Sequence, residues 1–153
     1  MSVQTVAGAV ISISAGTPAT FDSTGYAALT FTAVGEVTDA GQHGRVYNVV
    51  THNPISSRGT QKFKGSFNEG QKVLTIGIDD ADAGQSLAIT ALDSDSDYSF
   101  KVLYQDGATD FFQAKVVGFQ KSQTGVDTML TATLTLEITT SSSGVGIIHV
   151  DAP

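Results

Sequence analysis

From Leu130 to Thr139 the chain alternates without a break. Leu130, Ala132, Leu134, Leu136 and Ile138 take one phase, and Thr131, Thr133, Thr135, Glu137 and Thr139 take the other. Successive side chains of a strand point to opposite faces, so this segment reads as a strand with one aliphatic and one hydroxyl-rich face. Lys72–Asp79 repeats the pattern, with Leu74, Ile76 and Ile78 in one phase and Val73 in the other. Ser99–Gln105 sets Phe100, Val102 and Tyr104 on one face. Asp110–Gln120 has Phe112, Ala114 and Val116 on one side and Phe111, Val117 and Phe119 on the other. Asp106-Gly107 between these runs is a hairpin turn signal. Gln123–Gly125 reads as the turn of the next hairpin, leading into a strand near Thr128.

Val10–Ser14, Ala27–Val34, Val46–His52 and Gln61–Phe67 also read as strands. One segment favours a helix: Gln85–Leu92 has Leu87, Ala88, Ala91 and Leu92 at helical spacing. Asp80 and Asp82 lie just upstream, where carboxylates can cap free backbone N–H groups and oppose the helix dipole. The predicted fold is mostly β with one short helix. Asp39–Arg58, rich in turn residues around the apolar run Val46–Val50, reads as a long excursion from the core. Ser141–Pro153 opens on Ser-Ser-Ser-Gly and turns apolar at Val145–Val150. It reads either as a flexible arm that docks on a neighbour or as a last edge strand.

A length of 153 residues points to one domain able to bury its own core. Charged residues make up 15% of the chain, below the roughly 25% of ordinary soluble domains. A surface so poor in charge fits one covered by partner subunits, although Ser and Thr also keep a surface wet. Eight Lys and Arg against fifteen Asp and Glu give a net charge of -7, which disfavours a grip on nucleic acid phosphates. The absence of cysteine excludes disulfides, thiolate metal sites and Cys nucleophiles. The short apolar stretch Val6–Ile13 has no Lys or Arg before it, unlike a signal peptide. No run nears the roughly 20 apolar residues of a membrane span, so the expectation is a soluble chain that is not secreted by the usual route.

The candidate chemical motifs all fall short. Asp93, Asp95 and Asp97 open like a calcium loop, but Tyr98 stands where Gly is needed and Tyr104 where Glu is needed. Asp79, Asp80 and Asp82 cluster without a nearby His, and helix capping accounts for them better than acid–base work. His43, His52 and His149 lack the spacing and the Cys partners of a zinc set, and no Gly-x-Ser-x-Gly elbow is present. Gly65 and Gly70 lead into Gln71-Lys72, which is not a phosphate loop. Lys62, Lys64 and Lys72, interleaved with Phe63 and Phe67, read as half of an inter-subunit charge match. No catalytic, cofactor or metal residue is expected, and the chain is read as a non-enzyme.

Several segments in order do resemble a known family. They are Gly16-Thr17-Pro18-Ala19-Thr20-Phe21-Asp22, the Gly25-Tyr26 step, Leu29–Thr38, Lys62-Phe63-Lys64-Gly65-Ser66 and Asn68-Glu69-Gly70. Leu74–Gln85 follows, with its acidic turn and Gly84-Gln85 opening the helix, then Asp106-Gly107, Phe111-Phe112 and the Thr-rich last strand. Together they resemble the major tail tube proteins of long-tailed, non-contractile bacteriophages, from about Gly16 to Thr139. Phe31 stands where that family commonly has Trp, and Ser141–Pro153 has no counterpart in it.

The resemblance implies two packed antiparallel sheets, sandwich or barrel-like, with a flanking helix. It divides the chain into a tube domain (1–140), with a long loop at about 39–60, and a flexible tail (141–153). It further implies hexameric rings stacked into a hollow tube through which DNA passes without tight binding. Gln42, His43, Arg45, Tyr47, His52 and Arg58 are the implied inter-ring residues, and Thr131, Thr133, Thr135 and Glu137 the implied lumen-facing ones. A negative lumen would let phosphates slide past. The implied partners are other copies of the chain and the tail-tip, tape-measure and terminator proteins. The implied place is the virion tail, assembled in the host cytoplasm, with the long loop and tail disordered until they dock. The alternatives are the inner tube of a secretion or contractile injection device, and a β-rich binding or decoration module.

Overall fold

The alternation in the sequence becomes a curled antiparallel sheet in the computed structural model, which describes residues 3–153. Met1 and Ser2, the first residues of the expected tube domain, lie outside the described residues. In chain order the elements are β1 (Val10–Ser14), α1 (Ser23–Ala27), β2 (Thr32–Ala33), β3 (Val37–Asp39), β4 (Val46–His52) and β5 (Gln61–Asn68). They continue with β6 (Gln71–Gly77), α2 (Ala83–Leu92), β7 (Tyr98–Leu103), β8 (Thr109–Ser122), β9 (Thr131–Thr139) and β10 (Ile148–Val150). One eight-stranded sheet runs β2-β1-β7-β8-β9-β6-β3, with β10 added beside β8, and β4 and β5 form a ribbon of their own. The chain is mostly β and antiparallel, as the sequence reads. Its strands form two antiparallel sheets, one curled and barrel-like and one a two-stranded ribbon.

Chain connectivity explains the curl. The two ends of the sheet, β2 and β3, are consecutive in sequence and separated only by Val34–Glu36. Three residues span at most about 11 Å, so the ends must approach each other and the sheet takes a barrel-like form. The linker bonds to both sides: the Val34 amide donates to the Ile11 carbonyl of β1 (2.8 Å), and the Gly77 amide of β6 donates to the Glu36 carbonyl (2.8 Å). Gln85, buried in α2, holds the same seam. Its side-chain amide donates to the carbonyls of Gly35 (3.1 Å) and Gly77 (2.8 Å), and its oxygen accepts from the Asp79 amide (3.0 Å). Gly84 is required here, since a Cβ would lie 2.2 Å from the Ala33 carbonyl oxygen.

The core follows the sequence phases. Leu74, Ile76, Leu134, Leu136, Phe100 and Phe112 are fully buried, and Phe100 stacks on Phe112 at 5.6 Å. Strand β8 breaks its own phase. Val116 pairs with Leu136 and Gly118 with Thr135, so Val117 is bulged out and half exposed. Beyond the bulge Phe119 joins the core side, so the expected common face of Phe111, Val117 and Phe119 does not form.

Three other expectations are corrected. Ala27–Val34 is not one strand: it holds the end of α1 and the two-residue β2. Helix α1 forms because Asp22 caps it, accepting from the Gly25 amide (2.8 Å), and because Tyr26 buries itself against Phe111 at 5.4 Å. A five-residue helix is too short to show a period. Asp82 is the N-cap of α2, accepting from the amides of Gln85 (2.9 Å) and Gly35 (3.0 Å). Asp80 makes no capping bond among the described residues, because the chain turns there on Asp79, which accepts from the Ala81 amide. Finally, of the flexible arm and the edge strand read for Ser141–Pro153, the edge strand forms, at Ile148–Val150. Ile148, His149 and Val150 pair with Phe111, Asp110 and Thr109, continuing the line that β9 follows along β8.

Candidate assembly surface

The ribbon β4–β5 stands apart from the sheet and, with its tip, carries three of the six residues expected to bridge subunits, Tyr47, His52 and Arg58. Every residue of β4 is exposed, as is all of β5 except Phe67. Val46, Val49, Val50 and Phe63 are each more than half exposed, an apolar display on a strand pair that neither face of the body covers. Charge separates in the same way. Positions 46–68 contain three of the eight basic residues (Arg58, Lys62, Lys64) and none of the fifteen acidic ones, a local charge of +3. The rest holds five basic and fifteen acidic residues, or -10.

The root of the ribbon is clamped to the body. Arg45 Nε donates to Glu69 Oε1 (2.6 Å), and the Arg45 guanidinium lies 3.8 Å from the centre of the Phe67 ring. Glu69 is buried, and its other oxygen accepts from the Ile147 amide (3.2 Å), tying the ribbon to the C-terminal segment. Tyr47 packs edge-on against Phe67 at 5.6 Å.

A second clamp centres on Asp110, which is 8% exposed. Its carboxylate accepts from His43 Nε2 (2.8 Å), the Tyr104 hydroxyl (2.6 Å) and His149 Nδ1 (2.6 Å). Lys72, 2% exposed, donates from Nζ to His43 Nδ1 (3.0 Å). A carboxylate only accepts and an ammonium only donates, so the two contacts are made together by the His43 tautomer that carries its proton on Nε2. Burial pushes the Asp110 carboxyl up, but the bonds from His43, Tyr104 and His149 outweigh it and hold it well below the usual range. Burial pulls Lys72 down to about 8 against the opposing pull of Asp110 and Asp39. The bond to Asp110 raises His149. The cluster joins β6, β8, β10, the turn after β7 and the segment before the ribbon.

The six expected bridging residues therefore divide. Gln42 is exposed before the ribbon, while His43 and Arg45 turn inward as anchors. Tyr47 lies on the ribbon, and His52 and Arg58 lie exposed toward its tip. Sequence reasoning missed Asp110, Tyr104, Glu69 and Gln85, and it misassigned Lys72, which is buried against His43 and so is not part of the charge match expected with Lys62 and Lys64. A signal existed for two of them: Lys72 shares the phase of Leu74 and Ile76, and Asp110 that of Phe112 and Ala114. A charge on the buried phase of a strand demands a partner.

Thr131, Thr133 and Thr135 lie on the face of β9 away from the core. Register builds four rows there: Gln71–Glu137–Lys115, Val73–Thr135–Gly118, Thr75–Thr133–Gln120 and Gly77–Thr131–Ser122. Three rows carry no charge, and in the remaining one Glu137 faces Lys115, so the four rows together are formally neutral. Glu137 accepts from Gln71 (2.5 Å), and Lys115 is paired with Asp97.

No protein-family model and no curated protein matches the chain. Solved structures do. A chain of the anti-feeding prophage baseplate is 15% identical, with a TM-score of 0.69 over 99% of both chains. A chain of an extracellular contractile injection system, in a structure of the PVC sheath/tube terminator, is 9% identical, with a TM-score of 0.67 over 99% of both chains. The SPP1 tail tube protein is 16% identical, with a TM-score of 0.60 over 94% of this chain and 78% of its own. The chain thus has the mostly β, curled-sheet fold seen in phage tail tubes and contractile injection systems.

Proposed function

We propose that this protein is the structural subunit of a hollow, self-assembling tube of the phage-tail type. The observation that carries this reading is the β4–β5 ribbon, an exposed, apolar, positively charged arm on an acidic body. Such an arm is stabilised by a partner of opposite charge, and another copy of the chain provides one. The fold shared with the SPP1 tail tube and the contractile-system chains supports the same assembly. In this reading hexameric rings stack, the arm bridges rings, and the Thr131–Glu137 face lines the lumen through which DNA passes. The neutrality of that face changes the expected mechanism. The one cation of these rows, Lys115, is paired with Asp97 and faces Glu137, and the remaining hydroxyls, amides and glycine offer phosphates none, so DNA slides along a hydrated wall without needing a strong negative field there.

A second reading, the inner tube of a contractile injection device, is favoured by the match over 99% of both chains, which takes in the C-terminal segment. A sheath protein that co-purifies with the tube identifies that case. Negative-stain electron microscopy of the purified protein at rising concentration tests the shared claim, with hollow tubes of uniform width expected. Protein that stays monomeric at every concentration, and also on a purified tail-tip template, contradicts the claim and favours a binding module.

A further inference from the structure

One end of the curled sheet opens into a groove of about 1230 Å³ between the start of β1, the β2–β3 crossing and the segment leading to the arm. Val6, Val10, Val37, Ala40 and Ile147 supply apolar lining. The charged lining residues are mostly satisfied: Arg45 pairs with Glu69, and Lys72 reaches Asp110 through His43. Glu36 alone has no charged partner among the described residues. It is exposed at the groove and held at a φ of 60°, a left-handed conformation that costs a non-glycine residue energy. The groove is thus an apolar slot with one free carboxylate.

The arm tip has the complementary features. The Ser57 amide donates to the Pro54 carbonyl (3.2 Å), closing a turn that leaves Ile55 fully exposed, and Arg58 follows. We propose that the arm tip of a second copy occupies this groove, with Ile55 in the apolar lining and Arg58 beside Glu36. The inference rests on the tube reading and names the surface that receives the arm. Reach is adequate, since the seven residues of β4 span about 23 Å. The groove lies at the root of the receiving copy's own arm, where residues 40–45 form part of its wall. Each copy therefore gives a tip and accepts one at a different surface. Such a head-to-tail contact propagates into a ring or a helical stack instead of stopping at a dimer.

The lack of native cysteine makes the test clean. A Val10→Cys/Ile55→Cys chain, assembled and mildly oxidised, is expected to give a ladder of disulfide-linked trimers and higher species, while either single variant stops at dimers. Tubes that form normally but give no ladder overturn the groove assignment and leave the tube reading standing. Wild-type protein that never assembles overturns the tube reading and the groove with it. Arg58→Glu should raise the concentration needed for assembly about tenfold, and adding Glu36→Lys should restore it. No effect of Arg58→Glu, or no rescue, also overturns the assignment.

Discussion

The curled sheet and the β4–β5 arm use similar strand-forming residues and end in opposite states. In β6, Leu74 and Ile76 are fully buried, whereas in β4 Val46, Val49 and Val50 are all exposed. The sheet is a self-sufficient core, closed at its seam by Gln85 and tied together across β6, β8 and β10 by the Asp110 cluster. The arm has only its own ladder, the Tyr47–Phe67 contact and the Arg45–Glu69 anchor, and an isolated two-stranded ribbon is marginal in water. Stability resides in the first region and the capacity to associate in the second. Mutations should therefore separate the two properties.

The largest effect is expected in the core. Phe112→Ala removes a fully buried ring stacked on Phe100 and should cost about 3–5 kcal/mol in denaturant unfolding of the monomer. A loss below about 1 kcal/mol would contradict the assignment of stability to the sheet.

Next comes Asp110→Asn, which replaces the shared acceptor of His43, Tyr104 and His149 and should cost about 2–3 kcal/mol. Its pH dependence has a definite sign. A folded-state carboxyl held below its unfolded value adds stability that is present above about pH 4 and lost as pH falls below it. The variant should lack that acid-side loss. Lys72 acts at the other end: it is at about 8 when folded and 10.5 when unfolded, so its contribution to stability should rise between those pH values.

His149 gives a smaller, local effect. It is raised by Asp110, so its hold on β10 is complete below its unfolded value near 6.5 and weakens as pH rises through the folded one. Exchange of the Ile148–Val150 amides, corrected for intrinsic rate, should accelerate over that rise and be independent of it in His149→Gln. The smallest stability effect belongs to the arm. Val50→Ser should change monomer stability by less than about 0.5 kcal/mol while weakening assembly.

The same contrast explains what the sequence revealed. Strands β6 and β9 were legible because each has one buried and one more accessible face, and β7 because its buried Phe100 and Val102 alternate with Lys101 and Leu103, which are only partly buried. Helix α2 showed its spacing and its Asp82 cap. Helix α1 was hidden because a capping aspartate and one buried tyrosine hold it, without a periodic face. The bulge at Val117 was hidden because β8 is apolar in both phases from Val116 to Phe119, so a change of phase there leaves no trace in composition. The Asp110 cluster gathers residues from positions 43 to 149, and only the misplaced polarity of Lys72 and Asp110 hinted at it. The ribbon was legible as strands and as an excursion from the core, but its exposure on both faces was not, because that depends on what the rest of the chain leaves uncovered.

The most direct measurement removes the arm and retains its anchor. Val46 pairs with Asn68, so positions 46–68 can be excised and Arg45 joined to Glu69 through a short glycine linker. The intact and armless chains would then be compared at the same concentration by thermal unfolding and negative-stain microscopy. The account predicts cooperative unfolding in both and hollow tubes from the intact chain alone. Tubes from the armless chain, or an armless chain that fails to fold, would contradict it.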